Sequence, residues 1–100
     1  MIWPTYCYVG VSQDKRTVWL ARFFRIPLTW SHAYFAFVWA DGGCIIFEAS
    51  WRGIWRSEWD AAHQADRWAW YSDDRMTPQN AALLWAFCLG NEGKLYKYGM

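Results

Sequence analysis

An excess of charge of either sign is missing: ten Lys and Arg stand against nine Asp and Glu, for a formal net charge of +1. A nucleic-acid surface asks for a clearly basic face, so no nucleic acid is expected as a partner. Cysteine is scarce and odd in number, Cys7, Cys44 and Cys88, with no Cys-x-x-Cys pair. Neither a disulfide framework nor a zinc knuckle follows. With only His32 and His63 to add, no metal site and no cofactor are expected, and a reducing compartment fits the cysteine usage. Long hydrophobic runs are also lacking. No uncharged stretch reaches the ~20 residues that span a bilayer, and the run Ile26 to Ala40 also contains Pro27 and His32, so no transmembrane segment is expected. The opening Met-Ile-Trp-Pro-Thr-Tyr has neither the basic nor the apolar region of a signal peptide.

What is abundant is tryptophan, ten residues in a chain of 100 that is 55% hydrophobic. Such a chain can bury a core, and its length suits a single domain, residues 1–100. Ten Trp exceed the needs of a small core. Some must reach the surface, where large aromatics often mark contact sites.

Residues 6–11 read as a short strand, aromatic and β-branched. Ser12 and Asp14 are placed to cap a helix over 15–25, with Lys15, Arg22 and Arg25 on one side and Val18, Leu20, Ala21 and Phe24 over much of the rest. That pattern predicts an amphipathic helix lying on a sheet, with a membrane-surface helix as the alternative. Pro27 ends it. Residues 31–39 and 44–51 read as strands joined through Asp41-Gly42-Gly43, a hairpin signal. Alternation places Phe35, Phe37 and Trp39 with Ile45, Phe47 and Trp51 on a core face. His32, Tyr34, Ala36, Glu48 and Ser50 share the opposite, polar face. Residues 52–65 carry no clear pattern: Trp51, Trp55 and Trp59 recur every four residues, as in a helical turn, while Gly53 argues for an irregular start. Residues 67–71 predict a further strand and Ser72-Asp73-Asp74 a turn. Thr77 as N-cap, Pro78 at the first helical position and Gly90 at the end predict a helix over 77–89. Its body is apolar on all sides, which predicts burial of most of its surface. The fold class expected is therefore α+β, a small antiparallel sheet packed by two helices.

His32 and Glu48 are the candidate catalytic residues. With a loop of Ala40-Asp41-Gly42, Glu48 lies opposite Tyr34, one diagonal step from His32 and within reach of a long side chain. With a loop of Asp41-Gly42-Gly43, Glu48 moves out of reach and Ser50 becomes the nearer polar partner. A carboxylate on one imidazole nitrogen fixes the tautomer, and the other nitrogen can then activate a nucleophile. Tyr34 and Trp30, close in sequence to His32, are the expected substrate contacts.

The motif order adds to this reading. Tyr8-Val9-Gly10-Val11-Ser12, then a basic helix, Ser31-His32-Ala33-Tyr34, Ile46-Phe47-Glu48-Ala49-Ser50 with Gly53-Ile54, and Gly93-Lys94-Leu95-Tyr96-Lys97-Tyr98-Gly99 together resemble the circularly permuted, YiiX-like branch of the NlpC-type papain-like cysteine hydrolases. The lecithin retinol acyltransferase family shares the order. The resemblance implies an incomplete permuted papain-like fold and hydrolysis of an amide or ester, in cell-wall peptides or lipid esters, by a thiolate that His32 activates and Glu48 orients. It also implies that the nucleophilic Cys follows the Tyr-x-Tyr-Gly segment, beyond Met100, and no residue here matches that position. Cys7 is a weak substitute. Cys88 reads as inert packing, Cys44 as lying at the turn end far from His32, Thr77 as a cap and His63 as exposed.

Three functions follow as expectations: a split or truncated hydrolase whose nucleophile comes from another segment, an inactive binding or structural module on the same fold, or a carbohydrate-binding module using Trp51, Trp55, Trp59, Trp68 and Trp70 as platforms. A protein partner or self-association is expected in the first two. Viral relatives of the family put a virion-associated location beside a cytoplasmic one.

Overall fold

A computed structural model describes residues 3–13, 32–50, 53–60, 64 and 67–94. The helix expected over 15–25, together with Trp30, Trp51, His63 and residues 95–99, lies outside them. The fold is a small α+β unit: a five-stranded antiparallel sheet and one helix among the described residues. The strands are β1 (Tyr6–Gln13), β2 (His32–Val38), β3 (Cys44–Ser50), β4 (Gly53–Glu58) and β5 (Arg67–Tyr71), and the helix is α1 (Pro78–Asn91). Across the sheet the order is β4-β3-β2-β1-β5.

The β2–β3 hairpin takes the first of the two loops left open by the sequence. Val38 pairs with Cys44, and Trp39 N–H donates to Gly43 O at 2.9 Å, leaving Ala40-Asp41-Gly42 as the loop. Gly42 N–H donates back to Trp39 O at 3.0 Å, and Gly42 holds φ 92°, the left-handed position that closes a three-residue loop. Asp41 Oδ1 accepts from Gly43 N–H at 2.9 Å and fixes the turn.

Two expectations change at the strands. β1 runs on through Ser12 and Gln13, so Ser12 belongs to the sheet and pairs with His32 instead of capping a helix. Residues 53–58 form a strand, not a helical turn. β3 has an outer edge of backbone groups to satisfy, and β4 satisfies it from Ile45↔Glu58 to Ser50↔Gly53. Gly53 makes the entry possible, with φ 108° and Lys94 O only 2.6 Å from where a Cβ would stand. The outer side of β4 is met in turn by the chain beyond α1: Ile54 N–H donates to Lys94 O at 2.9 Å, Gly93 N–H donates to Ile54 O at 2.6 Å, and Arg56 pairs with Glu92 at 3.1 Å.

α1 starts as expected, with Thr77 Oγ1 accepting from Asn80 N–H at 3.1 Å and Pro78 in the first turn. It ends at Asn91, past Gly90, with Gly93 in the left-handed region. The helix packs on the face of Cys7, Phe37 and Phe47, which with Ala81, Trp85 and Cys88 form the main core. Trp85 is its centre, edge-on to Phe37, Phe47 and Trp39 at centroid distances of 5.1, 5.3 and 4.8 Å. The expected burial of most of α1 is not found: Ala81, Trp85 and Cys88 are buried, whereas Leu83 is 68% and Phe87 66% exposed. One sheet face meets one stripe of a helix, and apolar composition elsewhere on α1 does not supply a second layer.

The opposite face is also not simply polar. Tyr34, Ala36 and Ile46 are buried there, with Tyr8, Cys44, Trp59 and Trp70 packed around them.

Candidate functional site

Alternation and register place His32 among its neighbours. On the face away from α1, one row across the sheet runs Trp68–Ser12–His32, and the next runs Trp70–Gly10–Tyr34–Glu48–Trp55. Glu48 stands opposite Tyr34 and so one diagonal step from His32, the separation long side chains bridge. The bridge is made: His32 Nε2 pairs with Glu48 Oε2, both side chains partly exposed. With Nε2–H donated to the carboxylate, the neutral ring keeps its lone pair on Nδ1.

Tyr34 supports this pair from below. Its ring lies over Gly10, so closely that a Cβ there would stand 2.1 Å from Cε2. Its hydroxyl accepts from Trp70 Nε1–H at 3.1 Å, and Trp59 packs on it at 6.0 Å. His32 lies 5.9 Å from the same ring. Burial raises the Tyr34 phenol above its usual value, while the Trp70 hydrogen bond works against that rise. Tyr34, expected as a substrate contact, is thus buried, and the other expected contact, Trp30, lies outside the described residues. Glu48 is the polar partner found on His32. Ser50 is placed by its backbone, paired with Gly53.

The cysteines lie elsewhere. Cys7 pairs with Phe37 on the α1 face, on the far side of the sheet from His32. Burial pushes its thiol up to about 12, with Cys88 adding to the rise, and burial pushes Cys88 up to about 11. Neither is a thiolate near neutral pH. Cys44 shares the face of His32 but pairs with Val38 at the turn end, about 20 Å along β2 at the usual rise of a strand, and burial raises its thiol as well. Thr77 serves as the cap of α1.

Two neighbours of His32 are missed by sequence reasoning. Ser12 stands directly across β1 from it, and Trp68 stands beyond Ser12 on β5. The signal was alternation continued for one more residue pair past Val11. Of the Trp expected as sugar platforms, Trp59, Trp68 and Trp70 pack on one another at 4.9 to 5.7 Å, and Trp55 lies against the backbone at Gly53 and Gly93. Trp55 and Trp68 keep large exposed areas at opposite ends of the two rows.

Among the described residues no group of three or more His, Cys, Asp and Glu could hold a metal ion, and no helix is long and apolar enough to cross a membrane. No family model matches the chain, and no curated protein or solved structure matches it.

Proposed function

We propose that His32 and Glu48 are the base and the orienting carboxylate of a thiol-dependent amide or ester hydrolase of the permuted papain-like type, with the nucleophile supplied by another polypeptide segment. The observation that carries this is the pairing of His32 Nε2 with Glu48, fixed by the three-residue loop. Nδ1 takes the proton of an incoming thiol, and the thiolate attacks the carbonyl carbon. The imidazolium, stabilised by Glu48, returns that proton to the leaving amine or alcohol as the acyl bond breaks. Water, deprotonated by the same nitrogen, then releases the acid. Cell-wall peptides and lipid esters are the substrate classes that the motif resemblance suggests.

The test builds the missing nucleophile beside the base. Ser12 pairs with His32, so Ser12→Cys sets a thiol Cβ about 5 Å from that of the imidazole. Ser12→Cys should release a burst of nitrophenolate from p-nitrophenyl acetate near neutral pH, about 10²-fold faster than Ser12→Cys with His32→Ala, and adding Glu48→Gln to Ser12→Cys should slow the burst by part of that factor. Equal acylation rates with and without the imidazole would remove the hydrolase reading.

A second reading, the same fold as an inactive binding module, is favoured by the placement of Cys7 and Cys88 beneath α1. It predicts no acylation enhancement by His32 in that experiment.

A further inference from the structure

On the α1 side of the sheet, the helix covers Phe37 and Phe47 and leaves the neighbouring apolar surface bare. Val9, Phe35, Tyr71, Leu83 and Phe87 are all substantially exposed there. Leu83 and Phe87 stand one helical turn apart and project from α1. Beside them lies a hollow of about 660 Å³, lined by Val9, Phe35, Met76 and Leu84 as well as by Leu83 and Phe87 themselves. A second hollow of about 280 Å³ continues it under Phe87 towards Ala49 and Ile54.

We propose that a second copy of this chain covers this surface, docking about a two-fold axis so that Leu83 and Phe87 of each copy enter the hollow of the other. Three features favour a copy of itself. First, a two-fold contact needs projection and recess on one patch, because the residue that enters on one side must be received on the other. This patch carries both. Second, two identical surfaces repel if they carry net charge. α1 has no charged residue in its 14 positions, and the charges at the margin, Asp73 and Arg75, neutralise each other through contacts of 2.8 and 3.0 Å. Third, the exposed apolar side chains amount to on the order of 500 Å². With a polar rim, that approaches the ~800 Å² per partner of a stable dimer.

Sedimentation velocity over a concentration series tests this. The wild-type chain is expected to move from monomer to dimer in the micromolar range. Phe87→Glu, and separately Leu83→Glu, should raise the dissociation constant at least about 100-fold. Both residues are two-thirds exposed, so both variants should keep the wild-type circular dichroism spectrum. His32→Ala should dimerise as wild type does, which keeps failure of this proposal distinct from failure of the hydrolase reading. A wild-type chain that stays monomeric at roughly 100 µM overturns the proposal and leaves the patch to another partner. A dimer that survives both substitutions overturns it too, since the contact then lies elsewhere.

Discussion

At the scale of single residues, Gly10 decides more than its size suggests. It is the one position on β1 where the Tyr34 ring can cross the strand and reach Trp70. Gly10→Ala would force the ring aside, breaking the partly buried Trp70–Tyr34 hydrogen bond and disturbing the packing beneath His32. A loss of about 2 kcal/mol is expected, which for a chain of this size lowers the melting temperature by roughly 10 °C. A melting temperature unchanged in Gly10→Ala would mean that Tyr34 does not lie across β1. Sequence reasoning found His32 and Glu48 and the two arrangements open to them. It could not choose, because moving one residue between loop and strand shifts Glu48 along β3 at no visible cost in composition. Gly42 at φ 92° and the Asp41 turn select the register that joins them.

At the scale of elements, α1 was legible at its start, where Thr77 and Pro78 carry local chemistry, and illegible in its packing. Apolar composition says that a helix can be buried, but the number of layers around it decides how much is. The cap is expected to matter locally: Thr77→Ala should cost about 1 kcal/mol and raise amide exchange in the first turn, around Asn80 and Ala81, more than in the β-sheet. Uniform protection loss across sheet and helix would show that α1 opens only with the whole fold. β4 was hidden for a different reason. Its sequence, Gly-Ile-Trp-Arg-Ser-Glu, has the mixed polarity of an edge strand, and the four-residue spacing of Trp51, Trp55 and Trp59 overlays a helical period on it. The third Trp of that series, Trp59, in fact leaves the strand and packs on Tyr34.

At the scale of the whole molecule, the sheet joins a neutral core to a stability that depends on pH. The folded chain holds the thiol protons of Cys7 to about pH 12 and of Cys88 to about pH 11, against an ordinary value of 9.0. Stability from these groups is therefore complete below pH 9 and falls above it, as the unfolded chain releases protons that the folded one retains. The urea midpoint should drop between pH 9 and 11, and drop less steeply in Cys7→Ala; equal slopes would assign the alkaline loss to other groups. The two flanks of the sheet are also unlike. β4 is stitched to Gly93 and Lys94 and guarded by the Arg56–Glu92 pair, whereas among the described residues no strand lies outside β5. Tied down at Ile54 by two backbone hydrogen bonds, the β4 margin offers an approaching strand only part of a template, so strand addition from that side is hindered.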